Sequence, residues 1–185
     1  MARLIGIGDN VVDCNYTSKV VYPGGNCVNF AVFGKQIGQE TAYVGKIAKD
    51  RWGEVILQAL RDKNVDVSRC EIEEGETGRC GIHLTDGDRT IVDENDAGIV
   101  KAKPLSLSEE LLTYVKTFDL AHSSCYSHIE GELHKIKEAG VPVLYDFSDE
   151  WNDEVLEKLC SQINIAFFSG KDLEEEVLKS YLKKC

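Results

Sequence analysis

The sequence predicts an α/β fold in which a mostly parallel sheet is covered by helices on both faces. Short apolar runs, typical of buried strands, alternate with amphipathic segments, typical of helices, along most of the chain. Two β-like runs around Asp86-Gly87, a strong hairpin signal, interrupt this alternation. We therefore expect one domain over residues 1–185, with a main parallel sheet and a second, smaller β-sheet.

Composition narrows the class of protein. The 185 residues are 43% apolar, which is enough for one core, and the formal net charge is −11. An acidic surface repels nucleic acid and anionic membranes, so neither is expected as a partner. Seven cysteines without a Cys-x-x-Cys pair are typical of reduced thiols, and no signal peptide or spanning run is present. We expect a cytoplasmic protein without a metal site.

The first half of the chain contains two predicted strand–helix pairs. Residues 4–8 form a short apolar run that ends in glycine, which indicates a buried strand. Residues 26–37 are apolar almost all round and are followed by Gly38, which predicts a central, buried helix. Residues 41–48 are the next predicted strand, and the apolar spacing from Trp52 to Leu60 predicts an amphipathic helix.

The second half resumes the alternation after the small sheet, to which we assign residues 77–85 and 88–93, with 11–22 as a possible addition. A capping box at Ser106 predicts a helix to about Thr117, and another at Ser127 predicts a helix that Gly140 ends. The remaining predicted elements are strands at 118–123, 141–147 and 163–168, and helices at 153–162 and 172–184.

A glycine pair marks the candidate binding site. Gly24-Gly25 stands at a strand-to-helix junction, where the missing side chains would open the first helical N–H groups to a ligand. Asn29 lies one turn into the helix and offers both a donor and an acceptor. Asp9 and Asp13 follow the first strand at the same sheet edge. The pattern predicts a pocket for a polyhydroxylated ligand, and the alternative is a simple turn with capping residues.

Other signals leave alternatives open. The phosphate loop Gly-x-x-x-x-Gly-Lys-Ser/Thr is absent, and Gly6-x-Gly8 lacks the third glycine of a dinucleotide site. An acidic cluster, Asp146 to Glu150, follows a predicted strand. It either binds a lysine-like amine or begins the next helix.

Several motifs resemble the PfkB (ribokinase-like) carbohydrate kinase family. "GGNCVNFA" at 24–31 resembles its sugar-binding signature, and "VGKIAKDRWG" at 44–53 resembles its next motif. "GDNVVD" at 8–13 and "YDFSDEW" at 145–151 are most similar to the fructoselysine 6-kinase subfamily. The resemblance covers the whole chain and implies a three-layer α/β/α fold with a small β lid, formed by segments of about 14–22 and 77–93.

The resemblance also implies an activity, which is ATP-dependent phosphorylation of a small-molecule sugar or fructosamine with Mg²⁺ as the metal. Family lids often pair two subunits, so a homodimer through the lid is expected. Six residues are the expected substrate-binding residues. In order of strength, the sugar-binding positions are Asp13, Gly24, Gly25 and Asn29, followed by Asp9 and by Arg89 on the lid.

The family's catalytic base and anion hole lie in a Gly-Ala-Gly-Asp motif, which does not occur in this sequence. The last predicted helix is followed by no further strand. We therefore expect the base to lie beyond Cys185, the fold to be truncated at its C-terminus, and this chain alone to be inactive. No catalytic or metal-binding residue is assigned within it. The alternatives are a non-catalytic sugar-binding or regulatory module, and a kinase of another sugar or a nucleoside.

Overall fold

The computed structural model describes residues 1–85, 88–95, 97–170 and 173–182, without the side chains of residues 85, 88, 89, 180 and 182. The predicted turn at Asp86-Gly87 lies outside the described residues. In chain order the strands are β1 (Arg3–Ile7), β2 (Val11–Asn15), β3 (Val20–Gly24), β4 (Glu40–Val44), β5 (Lys46–Ala48), β6 (Glu71–Glu73), β7 (Arg79–Thr85), β8 (Asp88–Glu94), β9 (Leu120–Ser124), β10 (Val143–Asp146) and β11 (Ile165–Phe167). The helices are α1 (Asn26–Gln36), α2 (Arg51–Asp62), α3 (Ile99–Ala102), α4 (Glu109–Val115), α5 (Leu133–Glu138), α6 (Asp153–Leu159) and α7 (Glu175–Leu182).

The central sheet has the order β11-β10-β9-β1-β4, and its paired strands all run parallel. Helices cover both faces, as predicted. Ile5 and Ile7 of β1 pack into an apolar cluster with α4, α5 and α6, whereas Tyr43 of β4 packs into a second cluster with α1 and α2. Because successive side chains of a strand point to opposite faces, the two clusters lie on opposite sides of the sheet.

Helix α1 forms where predicted but is not buried on all sides. Its buried residues are Cys27, Val28, Ala31 and Gly34, which form one stripe along the helix. Phe33 is 59% exposed, and Ile37, which follows the helix, is 75% exposed. The apolar composition therefore predicted more burial of this helix than the structure shows, because the described residues cover only the stripe that faces the sheet.

The second sheet has the order β3-β2-β7-β8. Strands β2 and β3 are antiparallel, β2 and β7 are parallel, and β7 and β8 form the predicted hairpin. The described strands of the segments 14–22 and 77–93 belong to this sheet, which we call the lid sheet. A third pairing, between β5 and β6, was not predicted; it forms because the strand expected at 41–48 is divided at Gly45 into β4 and β5.

Two capping predictions were wrong. The helix predicted from Ser106 begins after Ser108, whose hydroxyl accepts a hydrogen bond from the Leu111 N–H at 3.2 Å. Ser127 does not cap a long helix, because α5 begins only at Leu133. The Ser127 hydroxyl instead donates to the buried carboxylate of Asp9 at 3.0 Å. This tertiary contact outweighs the local signal, since it satisfies a buried charge.

Two further observations concern the oxidation state of the cysteines and the length of the helices. Cys14, Cys27, Cys70 and Cys125 are reduced thiols, as predicted, whereas Cys160 is disulfide-bonded, which corrects the prediction at that position. Within the described residues, none of the helices has the length and apolar character needed to cross a membrane.

Candidate functional site

A cleft of about 820 Å³ lies between the carboxyl edge of the central sheet and the lid sheet. Its wall includes four of the predicted residues, Asp9, Asp13, Gly25 and Asn29. The loops after β1, β9 and β10 supply about a third of the remaining wall, and most of the rest comes from the lid sheet, α3 and α6. This is the position at which open parallel sheets bind ligands, because the carboxyl ends of the strands meet there.

Asp9 is a buried carboxylate with protein donors on both oxygens, and it is 5% exposed. Oδ2 accepts the Asn26 N–H of α1, and Oδ1 accepts the Cys27 N–H at 3.3 Å. Oδ1 also accepts the hydroxyls of Ser124 at 2.8 Å and Ser127 at 3.0 Å. The carboxylate therefore joins the end of β1, the start of α1 and the end of β9 into one unit.

The start of α1 differs from the expectation of main-chain amides open to a ligand. Two of its first N–H groups already donate to Asp9, so they are not available to a sugar. Gly25 has φ of 105°, and a Cβ there would stand 2.8 Å from Asp9 Oδ2. Glycine is needed at this position for close approach of the chain to Asp9, rather than of a ligand to the chain.

Asp13 lies on β2 of the lid sheet and faces the cleft. Its neighbours across the sheet are Tyr22 on β3 and Cys80 on β7. A Cβ at Gly24 would stand 2.9 Å from Asp13 Oδ2, so the missing side chain makes room for this carboxylate. Gly24 itself is buried and is not part of the cleft wall.

Three asparagines border the same region. Asn29 is exposed on the first turn of α1, and its side chain is open to the cleft. The Asn26 amide donates to Asp146 Oδ2 at 3.3 Å, which links α1 to the end of β10. Asn10 is buried and donates to the Tyr43 hydroxyl and to the Lys46 carbonyl, both at 2.8 Å. Its Oδ1 has no hydrogen-bond partner among the described residues.

The far end of the cleft is lined by polar side chains from two loops. The Tyr126 hydroxyl contacts the Ser148 hydroxyl at 3.0 Å and Asp149 Oδ1 at 3.1 Å. The Tyr145 hydroxyl donates to Glu130 Oε1 at 3.1 Å. The contact with Tyr126 fixes the direction of Asp149, which the sequence pattern placed only as part of an acidic cluster.

Burial favours the neutral form of four titratable side chains in or near the cleft. Burial raises the pKa of Cys125 and of Tyr126, each to about 12, and raises that of Tyr145. Burial lowers the pKa of His122, whose ring stacks on Phe30 at 4.7 Å. None of these side chains carries a charge at neutral pH, so the fixed charges of the cleft come from its carboxylates, lysines and arginine.

Some predicted residues do not join the site, and some residues of the site were not predicted. The side chain of Arg89 lies outside the described residues. Arg79 and Glu94 line the cleft from the lid sheet, and Lys101 lines it from α3, without having been singled out. The place of Arg79 beside the cleft depends on the parallel pairing of β7 with β2, which the sequence alone does not indicate.

A second cleft, also of about 820 Å³, lies on the opposite face of the lid sheet, where Trp52 and Asp50 contribute to its wall. Both Asp50 oxygens accept hydrogen bonds, from the Trp52 and Gly53 N–H groups, the Thr77 N–H and the Thr77 hydroxyl. None of the predicted site residues lines this cleft, so we place the candidate site on the Asp13 side.

The implied metal and nucleotide can be tested against these residues. Across 1–85, 88–95, 97–170 and 173–182, no cluster of three or more histidine, cysteine, aspartate or glutamate side chains could hold a metal ion. The phosphate-loop motif is also absent from the sequence. We therefore derive no step through either group.

Comparison with known proteins finds a matching family and relatives with similar sequences. A profile of the pfkB family carbohydrate kinases matches residues 3–180. Fructosamine kinase FrlD of Bacillus subtilis is 36% identical over 94% of this chain and 61% of its own length. Fructoselysine 6-kinase of Escherichia coli is 29% identical over 99% of this chain and 69% of its own length. The chain thus spans roughly two thirds or less of these relatives.

Solved structures show the same fold. Ribokinase of Arabidopsis thaliana, solved in complex with ribose and ATP, aligns over 100% of this chain and 69% of its own. The TM-score is 0.75 at 20% identity, which confirms the predicted ribokinase-like α/β arrangement.

Proposed function

The chain belongs to the pfkB family of carbohydrate kinases, and we propose that it forms the sugar-binding part of an ATP-dependent kinase of fructosamines such as fructoselysine. The observation that carries the proposal is the cleft between the lid sheet and the carboxyl edge of the central sheet, where Asp13, Gly25 and Asn29 meet. The two relatives that act on fructosamines by name match nearly the whole of this chain.

In this proposal Asp13 and Asn29 bind the sugar. The carboxylate of Asp13 accepts hydrogen bonds from two sugar hydroxyls, and the Asn29 amide both donates and accepts. Asp9 has a positioning role, because its carboxylate is occupied by donors of α1 and of the loop after β9. Gly24 and Gly25 leave room for the two aspartates.

Phosphoryl transfer requires a base for the sugar hydroxyl and donors for the developing charge. The Gly-Ala-Gly-Asp motif, in which the family carries both, does not occur in these 185 residues. We therefore assign sugar binding, but no base, to residues of this chain. The 185-residue chain is expected to bind the sugar without transferring phosphate.

The test measures binding and transfer separately. Isothermal titration calorimetry of the chain with fructoselysine, fructose, ribose and adenosine should show saturable binding, tightest for fructoselysine. A coupled ADP-release assay on the chain should show no turnover above the protein-free blank. Binding of adenosine or ribose tighter than that of fructoselysine would move the chain to another kinase of the family. Absence of binding to all four ligands would remove the sugar-binding proposal.

A homodimer through the lid is a separate part of the proposal. Four exposed apolar side chains share the lid face that carries Asp13, because the register places them on alternate positions of paired strands. They are Val20, Tyr22, Leu84 and Ile91, which are 40–56% exposed. Exposed apolar side chains on one face of a sheet favour packing against a second copy.

Charge on this face should break the dimer. We expect the native chain to sediment as a dimer, and the double variant Val20→Lys/Leu84→Lys to sediment as a monomer, because two ammonium groups would have to be buried. Thr90→Lys, on the opposite face of the lid sheet, is the matched control and should remain dimeric. A native chain that sediments as a monomer at all concentrations would contradict dimerisation.

A further inference from the structure

The cleft continues past the sugar-binding residues into a second part that we call the distal arm. Its charged and polar wall is formed by Tyr126, His128, Glu130, Asp149, Glu150 and Lys158. These residues follow β9 and β10, whereas Asp9 follows β1, and the strand order is β10-β9-β1. Neighbouring strands lie about 4.8 Å apart, so the arm extends roughly 10 Å along the sheet edge from the end of β1.

Charges of both signs face the distal arm without neutralising one another. Glu130, Glu150 and Lys158 all line it, and within the described residues none of the three forms an ion pair. Among the described residues, Glu130 accepts a hydrogen bond from a neutral hydroxyl, that of Tyr145. Side chains of opposite charge that share a cleft but remain apart are available to a ligand that carries both charges.

The acidic residues are not needed to start the following helix, which is the simplest alternative explanation for them. The side chain of Asn152 caps α6 by accepting the Val155 N–H at 3.0 Å. Asp153 and Glu154 already supply negative charge to the first turn. Asp149 instead contacts the Tyr126 hydroxyl across the arm, at 3.1 Å. The α6 cap therefore leaves Asp149 and Glu150 without a role in the helix.

The wall between these charges is apolar. Val155 and Leu159 of α6 and the ring of Tyr145 also line the cleft. Val155, Lys158 and Leu159 share the face of α6 that borders the cleft. A ligand that reaches Lys158 therefore passes along aliphatic and aromatic surface. This combination suits a hydrocarbon chain that ends in ionised groups.

We propose that the distal arm binds the amino-acid half of the substrate and thereby selects fructosamines of amino acids over free sugars. The α-ammonium group is bound by Asp149 and Glu150, with Glu130 nearby. The α-carboxylate is bound by Lys158, and the methylene chain lies against Val155 and Leu159. Three carboxylates and one ammonium give the arm a net charge of −2, which complements the excess positive charge of a lysine linked through its side-chain amine. This inference rests on the proposed sugar-binding function.

The test compares three ligands by isothermal titration calorimetry on the 185-residue chain. Fructoselysine has all the groups, the fructosamine of butylamine lacks the α-ammonium and α-carboxylate, and fructose lacks the amine arm. We expect fructoselysine to bind at least about tenfold more tightly than the butylamine compound, since each ligand charge gains a charge-assisted hydrogen bond.

Two variants test the charges of the arm separately: one removes two carboxylates, and the other removes the ammonium group. Asp149→Asn/Glu150→Gln and Lys158→Gln should each weaken fructoselysine binding by about five- to tenfold. Both variants should bind the butylamine compound with native affinity. A variant that failed to fold would lose binding of this compound as well. Glu154→Gln on α6 and Lys116→Gln after α4 are the matched controls, because neither residue lines the cleft.

The outcomes separate the inference from the proposed function. If the variants bind fructoselysine as tightly as the native chain does, or lose both ligands equally, the assignment of the arm is wrong while sugar binding stands. If the native chain binds fructoselysine and fructose with equal affinity, the assignment of the arm is also wrong, while sugar binding again stands. If the native chain binds none of the three ligands, the proposed function fails and the inference fails with it.

Discussion

Replacement of Asp9 by alanine is expected to lower the free energy of unfolding by about 3–5 kcal/mol, because several buried donors lose their acceptor at once. The Asp9 carboxylate accepts two N–H groups of α1 and the hydroxyls of Ser124 and Ser127. An unsatisfied buried donor costs roughly 1–3 kcal/mol, and the rotation of the two hydroxyls keeps the sum below simple addition. Urea denaturation followed by circular dichroism measures the change.

The control for this variant is Asp62→Ala at the end of α2, an exposed residue whose carboxylate accepts a hydrogen bond from the exposed Gln58 side chain. Its effect should stay within about 0.5 kcal/mol of zero. A loss below about 1 kcal/mol for Asp9→Ala would show that the carboxylate does not join α1 to the loop after β9 in solution.

Replacement of Asp13 by alanine should weaken sugar binding by roughly 10- to 100-fold, since a hydrogen bond to a charged group contributes about 1.5–3 kcal/mol. The side chain lies on the lid sheet and borders the cleft, away from the two main apolar clusters. We therefore expect the midpoint of urea unfolding to remain close to that of the native chain. Calorimetric titration with fructoselysine measures the affinity.

A second variant changes the position of the carboxylate and keeps its charge. Gly24→Ala introduces a methyl group 2.9 Å from Asp13 Oδ2, so the carboxylate must move. We expect the affinity to fall in the same direction as in Asp13→Ala. If both variants bind fructoselysine with native affinity, Asp13 does not contact the sugar.

The order of strands and helices was predictable because each element has its own apolar period. The β7–β8 hairpin, for example, follows from two apolar runs that flank Asp86-Gly87. The boundaries and caps were less predictable. Ser106 and Ser127 each match a capping box, but the Ser127 hydroxyl is used by Asp9, which is 118 residues away in the chain. Local propensity contains no information about such a contact.

The candidate site was predictable in its location but not in its chemistry. Asp9, Asp13, Gly25 and Asn29 do meet at one edge of the sheet, as the strand–helix order implies. The sequence could not show that Asp9 would occupy the first N–H groups of α1, which removes those groups from ligand binding.

Only part of the wall of the distal arm was predictable. Asp149 and Glu150 belong to the acidic cluster for which binding of a lysine-like amine was one of two alternatives, whereas Glu130 and Lys158 were not singled out. The wall is built from residues after β9 and β10, and those strands become neighbours only in the folded sheet.

The central claim is that a sugar binds on the Asp13 side of the lid sheet, and ¹⁵N-resolved NMR titration of the chain with fructoselysine tests it most directly. The account predicts that the backbone amides of Asp13 and Gly25 and the side-chain amide of Asn29 shift on binding. The indole N–H resonance of Trp52, which lines the cleft on the opposite face of the lid sheet, should not shift. Shifts at Trp52 without shifts at Asn29 would contradict the account.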